Sequence, residues 1–178
     1  GRLFPAVTPT MNLPQTDLSL VLPRQTKVLM VMDVVESVRL MEQDEDDFVQ
    51  RWQQLVARTE QVLPLHGGRL VKSLGDGLML EFATAQGCIK TAFALQHFTE
   101  QDNQDRPPER HLYLRMGAHL ADFVADKHDI YGSDVNLTAR VTTLAGPREL
   151  VITAELRDQL TAGLDGDIAD LGECHLKH

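Results

Sequence analysis

The segment Arg69 to Phe82 constrains the fold most. Arg69 to Leu74 and Leu78 to Phe82 have strand character and are joined by Gly75-Asp76-Gly77. Asp-Gly between two such runs signals a hairpin, because a tight turn needs residues that tolerate positive φ. A lone hairpin is marginal in water, so the flanking chain must supply further strands and a cover. Upstream, Val28-Leu29-Met30-Val31-Met32 reads as a buried strand over 27–33. A long helical region then extends to about residue 65, with Phe48, Trp52, Leu55, Val56, Val62 and Leu63 near helical spacing.

Downstream, a helix is predicted over 84–99. A polar, proline-containing loop follows from Asn103 to Glu109, then strands over Leu112 to Leu120 and Phe123 to Ala125. The order strand, helix, hairpin, helix, strand is the split βαβ pattern, predicting an α+β chain with a ferredoxin-like βαββαβ core. A helix over 133–145 and a strand at Leu150 to Ile152 extend it. Residues 1–25, with prolines at 5, 9, 14 and 23, show no sustained period and read as an arm or linker, which leaves 26–178 as the domain. A start at Gly1 and an end just after Leu176-Lys177 fit a piece of a longer chain.

With 178 residues, 43% of them hydrophobic, the chain can build one real core. A net charge of −9 disfavours nonspecific duplex binding, which draws on lysine and arginine, but leaves a single nucleotide open as a ligand. No run of about eighteen apolar residues argues for a membrane contact, and no secretory pattern opens the chain, so the expected compartment is the cytoplasm. Cys88 and Cys174 lack CxxC spacing and read as ordinary thiols, and the scattered histidines lack metal-ligand spacing.

The topology has a consequence for two acids. In a split βαβ unit the third strand lies antiparallel between the first two, so the end of strand one adjoins the turn that opens strand three. Asp33 and Asp76 should meet there. Carboxylates at the ends of buried strands are costly unless a cation or donors compensate them. Magnesium or manganese suits such oxygen ligands, with substrate phosphates completing the shell. Taken singly, Asp33 also fits a helix N-cap and Asp76 a turn-forming Asp-Gly.

Three separated motifs carry a family resemblance: Met32-Asp33-Val34-Val35-Glu36-Ser37-Val38-Arg39-Leu40-Met41, Val71-Lys72-Ser73-Leu74-Gly75-Asp76-Gly77, and Asp129-Ile130-Tyr131-Gly132-Ser133-Asp134-Val135-Asn136-Leu137-Thr138-Ala139-Arg140. From Val28 onward the chain resembles the catalytic domain of class III nucleotidyl cyclases. The resemblance implies the class III cyclase fold, with two divalent cations, Mg²⁺ or Mn²⁺, held by Asp33, Asp76 and the backbone carbonyl of Val34. It implies adenine reading by Lys72 and Asp129, ribose orientation by Asn136 and transition-state stabilisation by Arg140. It also implies a head-to-tail homodimer with shared sites and an upstream sensory domain.

The residue types suit those roles. Adenine donates from its exocyclic amine and accepts at ring nitrogens, complementing a carboxylate and an ammonium, whereas the guanine carbonyl would repel a carboxylate. Asn136 and Arg140 are four apart on a predicted helix and share a face. A guanidinium presents a planar fork to phosphate oxygens. The implied reaction converts ATP to 3′,5′-cyclic AMP and pyrophosphate, the ribose 3′-hydroxyl attacking the α-phosphate in line with two-metal assistance.

Two departures from the family stand out. Glu36 occupies a loop position where many relatives have glycine, and its side chain is expected to face solvent. The chain also stops near Lys177, so the final strand is expected to be truncated and Lys177 receives no phosphate role. The competing readings are a weak or inactive cyclase-like nucleotide-binding module and, third, a guanylate cyclase.

Overall fold

The computed structural model describes residues 23–163 and 175–177, with side chains from Pro23 to Leu160. Along the chain come β1 (Arg24–Val34), α1 (Ser37–Gln43), α2 (Glu45–Val62), β2 (Gly68–Ser73), β3 (Gly77–Phe82), α3 (Ala85–Asn103) and β4 (Leu114–Ala125). They are followed by β5 (Ile130–Tyr131), α4 (Ser133–Thr142), β6 (Glu149–Ile152), α5 (Ala154–Gly163) and β7 (His175–Lys177). One sheet has the order β2-β3-β1-β4-β6-β7, with β5 paired to β4. Because β3 is antiparallel to both β1 and β2, those two run parallel around it, as the split βαβ pattern requires.

The central place of β1 explains its unbroken apolar run, since a strand covered on both faces loses the usual polar alternation. Val28, Met30, Met32 and Val34 enter a core with Phe48, Leu55, Phe82, Ile89 and Leu95 from the helices and β3. Leu29 and Val31 face the other way, joining Met79, Ala121, Phe123, Ile130 and Val135. Each fully buried side chain of this size contributes about 1.5–3 kcal/mol.

Several boundaries differ from expectation. The helical region after β1 is two helices, broken at Asp44, whose extended backbone and side chain cap α2 by accepting the Asp47 N–H at 3.1 Å. Glu45, Asp46 and Asp47 in the first turn favour that end of the helix dipole. α3 runs on to Asn103, whose amide donates to Leu112 O at 2.9 Å and accepts the Leu112 N–H at 2.9 Å.

The two strands expected at 112–120 and 123–125 are one. β4 pairs with β1 from Val34↔Leu114 to Arg24↔Val124, because Ala121 is buried while Asp122 turns outward to Arg24. α5, β5 and β7 were not anticipated; β7 lies parallel to β6. The expected arm (for its first 22 residues), Cys174 and the remaining acids at 165, 167 and 170 lie outside the described residues. Among the described residues no helix is long and apolar enough to cross a membrane. Cys88 is fully buried, and burial pushes its thiol well above the ordinary range, which suits an inert packing role.

Candidate active site

Asp33 and Asp76 converge as the topology predicts. Asp33 pairs with Gly77 across β1 and β3, and the Val34 N–H donates to Asp76 O at 3.2 Å. The approach requires glycine at 77, where a Cβ would lie 2.7 Å from the Met32 carbonyl oxygen and 3.2 Å from Asp33 Cβ. The Asp76 carboxylate accepts the Ser37 hydroxyl from the start of α1. An open cleft of about 640 Å³ lies beside it, bounded by Ser37, Val38, Met41 and the 42–45 segment.

Asp33 already holds a cation. Arg115 on β4 donates from Nε to Asp33 Oδ1 at 2.7 Å and from Nη2 to Oδ2 at 3.1 Å, the forked geometry that guanidinium and carboxylate share. Hydrogen bonding to Asp33 outweighs burial and raises the guanidinium above its ordinary pKa, with lesser additions from the charges of Asp33 and then Asp76.

Lys72 and Asp129 also meet. The ammonium donates to both Asp129 oxygens at 2.9 and 3.0 Å. A bulge delivers it: Leu70 pairs with Leu80 but Lys72 pairs with Met79, so Val71 is the extra residue. Without the bulge Lys72 would share the helix-covered face with Leu70; with it, Lys72 joins the face of Val31 and Asp33. Asp129 is fixed by its loop, in which the Asp126 carboxylate accepts the His128 and Asp129 N–H groups at 2.7 and 2.9 Å. The Lys72 ammonium, then the Ile130 N–H, hold the Asp129 carboxyl below the usual range.

Asn136 and Arg140 stand on the outer side of α4, exposed, with no side-chain hydrogen bond or ion pair among the described residues. Among the described residues no hydrogen bond or ion pair joins them to the acid pair or to Lys72 and Asp129. Lys72 sits two strands from Asp33, a lateral gap of about 10 Å.

The family described as adenylate and guanylate cyclase catalytic domain matches residues 22–178. The chain belongs to this family. A protein of Rhizobium meliloti (strain 1021) named "Putative adenylate cyclase 3" is 31% identical over 159 residues, covering 87% of this chain and 27% of its own length. The chain thus spans about a quarter of that relative. A solved adenylate/guanylate cyclase/hydrolase from Silicibacter pomeroyi superposes with a TM-score of 0.70 at 28% identity, covering 79% of this chain and 83% of that one. The guanylyl cyclase Cya2 shares the fold at a TM-score of 0.67 and 17% identity, covering 77% and 79%. The fold is therefore that of class III cyclases.

For this cyclase domain the donor chemistry fits a divalent ion. Asp33 and Asp76 present oxygen only, at a strand end where Asp33 already pairs with the Arg115 guanidinium. Among the described residues no cluster of three or more His, Cys, Asp or Glu side chains could hold a metal alone, so two carboxylates would need main-chain, water or phosphate oxygens to complete a shell.

Sequence reasoning missed two participants. Arg115 was legible as the one arginine or lysine in the largely apolar Leu112 to Leu120 run. Ser37 gave no signal, since its partner lies 39 positions away. Glu36 faces solvent as expected, paired with Arg39 at 3.2 Å, but its backbone is left-handed at φ 53°, the conformation that favours the glycine of many relatives.

Proposed function

We propose that this cyclase domain is an adenylate cyclase, converting ATP to 3′,5′-cyclic AMP and pyrophosphate. The observation that carries the reading is the meeting of Asp33 and Asp76 at the end of β1, through the Asp33↔Gly77 pair and the bond from the Val34 N–H to the Asp76 carbonyl. Divalent ions held there by both carboxylates and the Val34 carbonyl would acidify the ribose 3′-hydroxyl and neutralise phosphate charge. Arg115, released from Asp33 once that carboxylate is engaged, is positioned to face triphosphate oxygens. Lys72 donates to an adenine ring nitrogen and Asp129 accepts from the exocyclic amine, their mutual ion pair holding both side chains ready. Asn136 orients the ribose for in-line attack, and Arg140 balances the charge that gathers on the α-phosphate.

Among the described residues no hydrogen bond or ion pair joins the three groups within one chain, which supports a head-to-tail homodimer in which one protomer's acids face its partner's base-reading and α4 residues. The relative's greater length supports a longer parent protein, and the proposal includes an upstream sensory domain and a cytoplasmic site for this part of it.

Purified protein with ATP and Mn²⁺ should release cyclic AMP, and Asp33→Ala should abolish it. Turnover of GTP in preference to ATP would reassign the base specificity. The occupation of Asp33 by Arg115 and the left-handed Glu36 favour a second reading, a nucleotide-binding regulatory module. Saturable ATP binding without product, in a protein shown to dimerise, selects it.

A further inference from the structure

His119 is the only buried histidine among the described residues, and the chemistry above leaves it without a task. It lies on β4, on the same face as Arg115 and Phe123. Its Nδ1 is 2.7 Å from Thr153 Oγ1, at the junction of β6 and α5. Its Nε2 is 3.5 Å from Asp134 Oδ1, in the first turn of α4. A carboxylate only accepts, so the ring proton belongs on Nε2, with the Thr153 hydroxyl donating to Nδ1. The second oxygen of Asp134 accepts the Asp122 N–H at 2.9 Å.

These contacts fix the start of α4. Gly132, at the N-cap, offers no capping side chain, so this end is anchored by Asp134 together with the buried Val135 beside it. The other end is held by close approach: a Cβ at Gly117 would lie 2.4 Å from Thr142 N, and the Thr142 hydroxyl donates to Val31 O at 3.3 Å. Asn136 and Arg140 project from the opposite side of the same ten-residue helix with nothing of their own to hold them. Their placement is therefore inherited from the buried pins.

We propose that His119 is a positioning residue for cyclisation, setting through Asp134 the lie of α4 and hence the reach of Asn136 and Arg140. The inference rests on the roles given to those two residues under the proposed function. A histidine that served packing alone would lower stability across the sheet. A positioning histidine acts through Arg140.

The test is a double-variant cycle on the dimeric protein with ATP and Mn²⁺, run with enzyme in excess so that slow rates are measurable. His119→Ala should lower kcat by about tenfold or more while KM for ATP changes by less than about threefold. His119→Gln, whose amide can still donate to Asp134, should recover most of that loss. In an Arg140→Ala background His119→Ala should cost less than about twofold further, since both changes remove one function. Amide exchange in His119→Ala should quicken over 133–142 and stay unchanged over 24–34. Losses that multiply in the double variant, a Gln variant no better than Ala, or exchange that rises equally in β1 would each overturn the positioning role alone. An Arg140→Ala protein as active as wild type would overturn the reading beneath it, and the positioning role with it.

Discussion

The two faces of β1 differ in kind, although the same eleven residues supply both. On the helix-covered face Val28, Met30, Met32 and Val34 are buried among aliphatic and aromatic side chains from end to end. On the other face Leu29 and Val31 are apolar, but the next position is Asp33, with Arg115 across the β4 pair. Alternation along one strand thus separates stability from chemistry: even positions hold the sheet to its helices, and the last odd position reaches a charged site. Lys72 joins the charged face only because the bulge at Val71 turns it over.

The sharpest way to break this comparison is to change one residue on each face. Asp33→Asn keeps size and a hydrogen-bonding oxygen but removes the charge. Cyclic AMP formation should fall by about 10²-fold or more, while the urea midpoint changes little. Met30→Ala, three positions earlier, should do the opposite. Removing a fully buried side chain costs about 2–5 kcal/mol, read as a lower urea midpoint, while kcat per folded dimer stays near wild type. Equal losses of activity and stability in both variants would show that the faces are not separable.

The same division explains what the sequence could tell. β1, the hairpin and the meeting of Asp33 with Asp76 follow from local patterns, because a split βαβ unit leaves one register for that strand end. The partners that complete the site come from long-range packing. Arg115 reaches Asp33 across 82 positions, and neither residue's neighbours announce the other. The bulge at Val71 has no local signature, since Arg69 to Ser73 reads equally well as a regular strand. The division of the first helical region at Asp44 was readable in retrospect. An aspartate three residues before Asp47 and followed by three acids is an N-cap pattern, masked here by apolar spacing that continues across it.

A smaller effect sharpens the comparison at the loop after the charged strand end. Glu36 starts α1 in the left-handed region, where an L residue with a Cβ is disfavoured by about 1–2 kcal/mol. Its side chain makes only an exposed pair with Arg39, which returns little. Glu36→Gly should therefore gain stability of about 1 kcal/mol or less, after the added freedom of the unfolded glycine is subtracted. Thermal unfolding would read this as a rise of about 2–4 °C at most. A fall instead would mean that the Arg39 pair holds α1, and with it Ser37 on Asp76.

The smallest expected effect is one of pH, and it contrasts the Lys72–Asp129 pair with the apolar face, where burial pushes the Cys88 thiol up and away from the acid range. Lys72, then the Ile130 N–H, lower the Asp129 carboxyl from its ordinary 3.8. A depressed acid binds its proton less readily when folded than when unfolded. Its contribution to stability is thus complete above 3.8 and is lost as pH falls through the folded value. Lys72→Met removes the larger cause and leaves the Ile130 contact. Its urea midpoint should sit slightly below wild type at pH 7, and the gap should close as pH falls below 3.8 and through the folded value. Asp44 and Asp126 are lowered chiefly by their own backbone contacts, which Lys72→Met leaves in place. A gap that stays constant into acid would mean that the methionine acts through packing on Val71 and Met79, not through the lost charge.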